Sequence, residues 1–204
     1  MRKETYLNYI KYTLSTYNKV SKKELLKKYK DKNLVKKKDM QPTLFDDGLV
    51  DIDYSNLEDT LFQCIEINDV ALEIYEKFQF MKSYKYSVLF KSTDFNKIIE
   101  TTKKIPEYQF KDNDIKLFED LSSPEKIETE DLIIIRFNKK YEAVHPQTAE
   151  ELLLHYPVLV VLHKDIELVE FRFDAIKRLF IEETRDQAVY TKLIDDIIEY
   201  FNRN

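Results

Sequence analysis

The chain has 204 residues, 43% of them hydrophobic and 35% charged, with a net charge of −5; that balance fits a folded protein with a core of its own and excludes wholesale disorder. Gly48 is the only glycine, where an average composition would supply about 7%. A P-loop, a dinucleotide fingerprint and a nucleophile elbow each need several glycines in a short stretch, so all three are excluded and no nucleotide cofactor is expected.

Cys64 is the only cysteine, which excludes an intrachain disulfide framework and a multi-cysteine zinc site. Lys, Asn, Ile, Tyr and Phe are abundant while Gly, Ala, Pro, Trp and Arg are scarce, the pattern of AT-rich codon use. It points to a low-GC bacterium or one of its phages or mobile elements. The start, Met1 to Tyr6, has no apolar stretch of the signal-peptide kind, and the longest apolar run, Tyr156 to Leu162, is far shorter than the roughly 20 residues of a membrane span. A cytoplasmic location is the expectation.

Charge is unevenly spread. Met1 to Lys38 holds 13 Lys or Arg against 3 Asp or Glu, a net +10 that leaves −15 on the rest of the chain. The composition changes around Gln41-Pro42 to Gly48, so the expected organisation is a basic helical head over residues 1–40 and an acidic α+β body over residues 41–204.

In chain order, the first expected helix runs from Glu4 to Tyr17, with Tyr6, Leu7, Ile10, Leu14 and Tyr17 on one stripe and Tyr9 and Tyr12 off it. Ser21-Lys22-Lys23-Glu24 has the spacing of a capping box and opens a second helix that buries Leu25, Leu26 and Tyr29. These two helices and their short turn resemble the opening of a helix-turn-helix or winged-helix domain over about thirty residues. Leu61 to Ile67 and Ala71 to Phe80, separated by Asn68-Asp69, read as a hairpin, the second stretch also fitting a helix. Tyr84 to Phe90 reads as a strand, Asp94 to Lys104 as a helix, and Tyr108 to Thr129 as mostly loop. Leu132 to Phe137 is expected to pair with Tyr141 to His145 around Asn138-Lys139-Lys140, and Val158 to His163 with Ile166 to Phe173 around Lys164-Asp165. Thr148 to Glu151 reads as the cap of a short helix before Pro157, Asp174 as the start of another, and Thr184 to Gln187 as the cap of the last. The fold class expected is therefore α+β, an antiparallel sheet of hairpins flanked by helices and preceded by a small basic helical head.

Candidate chemistry is sparse. His145, His155 and His163 fall in one region with Glu142, Asp165 and Glu167, the residue types of a zinc or manganese site, but at no metal-motif spacing. Asp165, Glu170 and Arg172 give a distorted version of a magnesium nuclease core; arginine cannot shed a proton as a base, so a cross-strand surface ion pair of Glu170 with Arg172 is the simpler reading. Cys64 sits in an apolar stretch and reads as a buried structural thiol.

The basic head carries the strongest positive signal. Lys11, Lys19, Lys22, Lys23, Lys27, Lys28, Lys36, Lys37 and Lys38 can neutralise phosphates, and Tyr9 and Tyr12 beside them can stack on the bases of a single strand. The last helix, about Arg185 to Arg203, has an apolar face covering half its circumference, wider than a helix lying on one surface needs, so part of it, centred on Ile194, Ile198 and Phe201, is expected to meet a protein partner or a second copy. The leading expectation is a non-enzymatic nucleic-acid-binding accessory protein, a subunit of a bacterial regulatory or antiviral defence assembly. A protein-interaction subunit without nucleic-acid binding is the alternative, and a metal-dependent nuclease the third.

Overall fold

The structure is a computed structural model that describes residues 3–37, 49–110, 123–144, 149–176 and 186–203. The chain is α+β, as its patterning predicts: among the described residues there are six helices, a five-stranded antiparallel sheet and a two-stranded parallel pair. It forms two compact units, one of Met1–Ser83 with Phe110–Ile115, the other of Tyr84–Gln109 with Lys116–Asn204.

The first unit holds helices α1 (Lys3–Thr16), α2 (Lys19–Asp31), α3 (Leu57–Ile67) and α4 (Asp69–Phe78) and the parallel pair β1 (Val35–Lys37) and β2 (Val50–Ile52). The helices of the basic segment contribute Ile10, Leu14, Leu25 and Tyr29 to a core shared with Leu61, Ile65, Leu72 and Tyr75, all wholly buried. Tyr29 also donates its hydroxyl to the Ala71 carbonyl at 3.1 Å, which gives the buried phenol a partner. The expected capping box is displaced by three residues: Asn18, not Ser21, is the N-cap of α2, its side-chain oxygen accepting from Ser21 N at 2.8 Å. After α2 the chain turns through Asn33 at φ 54, in the left-handed region that asparagine tolerates, and enters strand β1.

Residues 57–78 are two helices and not the hairpin expected. Asn68 reads as a turn residue in the sequence, and it does turn the chain, but between helices: its N–H bonds Cys64 O at 3.1 Å to close α3, while its side-chain oxygen accepts from Val70 N at 2.9 Å to open α4. A short apolar run satisfies both periodicities, and the choice is made by the α1 and α2 surfaces that need helical ridges to pack on. Cys64 accordingly lies on a helix. It is buried, and burial pushes its thiol up to about 12.

The second unit is built on the sheet, in the order β3 (Tyr86–Lys91), β7 (Leu168–Phe173), β6 (Glu151–His163), β5 (Leu132–Val144), β4 (Glu125–Glu128). Helices α5 (Phe95–Thr102) and α6 (Asp186–Arg203) complete it. Two expectations are corrected here. Asn138-Lys139-Lys140 is no turn but the middle of β5, and Glu151–Pro157 is no helix but the first half of β6, the two strands pairing over thirteen residues from Leu132↔His163 to Val144↔Glu151. Two of the three polar residues of the supposed turn have partners that keep them in a strand: Asn138 Oδ1 lies 2.7 Å from His155 Nε2, and Lys139 Nζ reaches Asp196 of α6 at 3.4 Å. Pro157 is tolerated in this central strand because β7 pairs with β6 only from Leu159 onward, so no ladder on that side needs the missing N–H. The second predicted hairpin is present as β6 and β7. The helix expected after Asp174 and the cap at Thr184 lie largely outside the described residues; Asp174 to Ile176 themselves are not helical.

Candidate nucleic-acid interface

Helix α2 separates its residues by character. At 100° per residue, Lys19, Lys23, Lys27 and Lys30 fall within about 80° of arc and run for about 16 Å along the axis. All four are exposed, while Ser21, Leu25, Leu26 and Tyr29 turn inward. Lys19, Lys23 and Lys27 make no ion pair with any described residue. Lys30 lies over the Tyr54 ring at 5.3 Å and donates to its hydroxyl at 3.2 Å. Glu24 and Asp31 border the stripe on one flank.

Such a row opposes the folding preference of the helix. Like charges three and four residues apart each cost a few tenths of a kcal/mol. The first turn of α2 contains no acid, although the helix dipole favours negative charge there. A polyanion laid along the row and against the positive helix end would relieve both.

The other predicted contacts divide. Lys11 is exposed on α1 and Lys37 on β1, Lys36 is half-buried, and Lys38 lies outside the described residues. Lys22 is turned aside and held by Glu58 at 2.6 Å, joining α2 to α3. Lys28 lies 6.0 Å over the Phe78 ring. Tyr9, placed off the apolar stripe by the sequence, is buried at 7% exposure; its ring face is taken up by the core and not offered to a base, because the four-helix packing buries more of α1 than one stripe. Tyr12 is half-buried.

The histidines do not converge. His155 and His163 lie on one strand eight residues apart, about 26 Å in an extended chain. His155 is wholly buried, and burial, then the positive charges of Arg136 and Lys140, hold its imidazole well below the ordinary range. His145 lies outside the described residues. Among the described residues no three His, Cys, Asp or Glu side chains gather as a metal would require. Glu170 and Arg172 pair along β7 itself and not across strands, with Glu170 buried at 7% exposure and Arg172 half-buried beside it. Its carboxylate accepts from Arg172 Nε and Nη2 at 2.8 and 2.7 Å and from Ser87 Oγ at 2.6 Å, with His163 Nε2 at 2.9 Å. Those donors, Arg172 foremost, hold it down to about 2. Hydrogen bonds of this number and strength occupy the lone pairs a metal would use.

On α6 the broad apolar face is divided. Leu193, Ile197 and Phe201 are buried, Phe201 with its ring 5.9 Å from that of Phe137, so it belongs to the core. Ile194 is half-buried and Ile198 is 39% exposed. No described helix is long and apolar enough to cross a membrane. Compared with protein-family models, with curated proteins and with solved structures, the chain gives no match.

Proposed function

We propose that this protein is a non-enzymatic nucleic-acid-binding accessory subunit of a bacterial regulatory or defence assembly. It engages the phosphate backbone through Lys19, Lys23, Lys27 and Lys30 of α2, with Lys11 and Lys37 as outlying contacts. The observation that carries the reading is the exposed α2 row, which has no acidic partner among the described residues. Side chains that meet phosphates and not base edges give affinity with little sequence preference, and counterion release makes that affinity fall steeply with salt.

The test is a fluorescence-anisotropy titration of labelled single- and double-stranded 20-mers at several salt concentrations. The expected result is binding of both, with a duplex slope of log K against log salt of about −3.6 or steeper, four α2 lysines at about 0.9 per phosphate contact. The variant carrying Lys19→Glu, Lys23→Glu, Lys27→Glu and Lys30→Glu is expected to lose most of it. Absence of binding to either form at low salt, or full binding by the variant, overturns the reading.

A further inference from the structure

The two edges of the five-stranded sheet are treated differently. At β4 the edge is closed by its own chain: Tyr108 N donates to Lys126 O at 2.8 Å and Lys126 N to Pro106 O at 3.0 Å, making a parallel bridge at Glu107. At β3 no described residue pairs with the outer side of the strand. Edge strands usually carry a bulge, a proline, charged residues, lysine above all, or a covering segment against further pairing. Over its six residues, Tyr-Ser-Val-Leu-Phe-Lys, β3 has no proline and pairs with β7 in unbroken register, and it leaves Tyr86, Leu89 and Phe90 at 38%, 59% and 39% exposure. Beside Phe90 the surface opens into a groove of about 340 Å³, walled by Ile98, Phe171 and Ile198, with Lys97 and Asp94 among its polar lining residues.

Charge says what fits this edge. Lys85 and Lys91 bracket β3, both exposed and about 20 Å apart in an extended chain. A second copy laid antiparallel with Val88 against Val88 sets Lys85 opposite Lys91, and like charges directly opposite are destabilising. Edge lysines of this kind select against self-pairing and favour a strand with carboxylates at matching positions.

We propose that the outer edge of β3, which no described residue pairs, is a docking site for an extended acidic segment of a partner protein. The segment adds as a sixth strand, its backbone bonding the outer N–H and C=O groups of Tyr86 to Lys91. Two carboxylates six residues apart meet Lys91 and Lys85, and an apolar side chain enters the groove beside Phe90 and Ile198. This inference lies in the second unit and does not depend on the nucleic-acid reading of α2.

The probe is a capped, fluorescein-labelled peptide, Glu-Val-Thr-Val-Thr-Val-Glu, titrated by polarisation against the full chain, with amide exchange followed by mass spectrometry. Expected are saturable binding, slowed exchange across Tyr86 to Lys91, and no binding of the same peptide ending in lysines. The Lys85→Glu, Lys91→Glu variant is expected to reverse that preference, with Lys91→Glu alone weakening the acidic peptide about tenfold, one lost charge-assisted contact. Undiminished binding of the acidic peptide to the double variant, no change in β3 exchange, or no binding at all overturns the proposal. So does a dimer that Leu89→Lys dissociates, which gives the edge to a second copy, or protection of β3 by an oligonucleotide, which gives it to nucleic acid.

Discussion

His155 Nε2 and Asn138 Oδ1 meet diagonally across the β5–β6 ladder at 2.7 Å. An amide oxygen only accepts, so His155 donates from Nε2, and burial of the ring favours its neutral form. Because burial and the nearby Arg136 and Lys140 lower the folded-state pKa from its ordinary 6.5, the unfolded chain takes up a proton below that pH while the folded one does not. This contribution to stability is complete above pH 6.5 and drains as pH falls, by up to about 1.4 kcal/mol per unit. Urea titrations between pH 7 and 5 are expected to show that loss, and His155→Gln to flatten it.

Glu170 governs a separate, more acid window. Its folded pKa, held at about 2 against an ordinary 4.5, makes it stabilising above pH 4.5 and progressively less so as pH falls from 4.5 to 2. Glu170→Gln is expected to remove that limb of the acid-unfolding curve. At pH 7 it is also expected to cost about 1–3 kcal/mol, because the amide keeps one acceptor oxygen for Arg172, turns an NH2 toward the guanidinium in place of the other, and removes the negative charge. A variant as stable as the parent chain at pH 7 contradicts the role.

Neighbouring residues on α6 are expected to answer differently to substitution. Ile197 is wholly buried and Ile198 is 39% exposed. Ile197→Ala is expected to lower stability by about 2–5 kcal/mol, whereas Ile198→Glu stays within about 0.5 kcal/mol in the isolated protein. Thermal melts of the two variants make the comparison. An Ile198→Glu melt as depressed as that of Ile197→Ala shows that this flank of the helix is core.

The sequence was most legible where a long segment had one consistent period. α1, α2, β3, β7, α5 and α6 lie within a few residues of where their patterns place them, and the β6–β7 pairing is present, although β6 begins at Glu151, well before the expected Val158. It was least legible where short polar stretches have two uses. Asn138 and Lys139 suit a turn until the partners His155 and Asp196 are known, and Asn68 suits a hairpin turn as well as a helix corner. The lysines of α2 were visible from composition alone, but their sorting was not. Only the packed helices show that Lys22 is held by Glu58 and that Tyr9 is buried, while Lys30, on the same row as Lys19, Lys23 and Lys27, faces solvent. The outer position of β3 in the sheet had no local signal, because an edge is a property of the sheet order.

The corner at Asn68 leaves no slack between α3 and α4. One residue both ends the first helix and begins the second, so the angle between them depends on a single pair of dihedrals. An added residue there would advance α4 by about 100° and swing Ala71, Leu72 and Tyr75 off the core they fill. Point substitutions can be absorbed at this corner one atom at a time, but a change of length cannot, and lineages of this chain are expected to keep the count of residues from Leu57 to Phe78 fixed while its side chains drift.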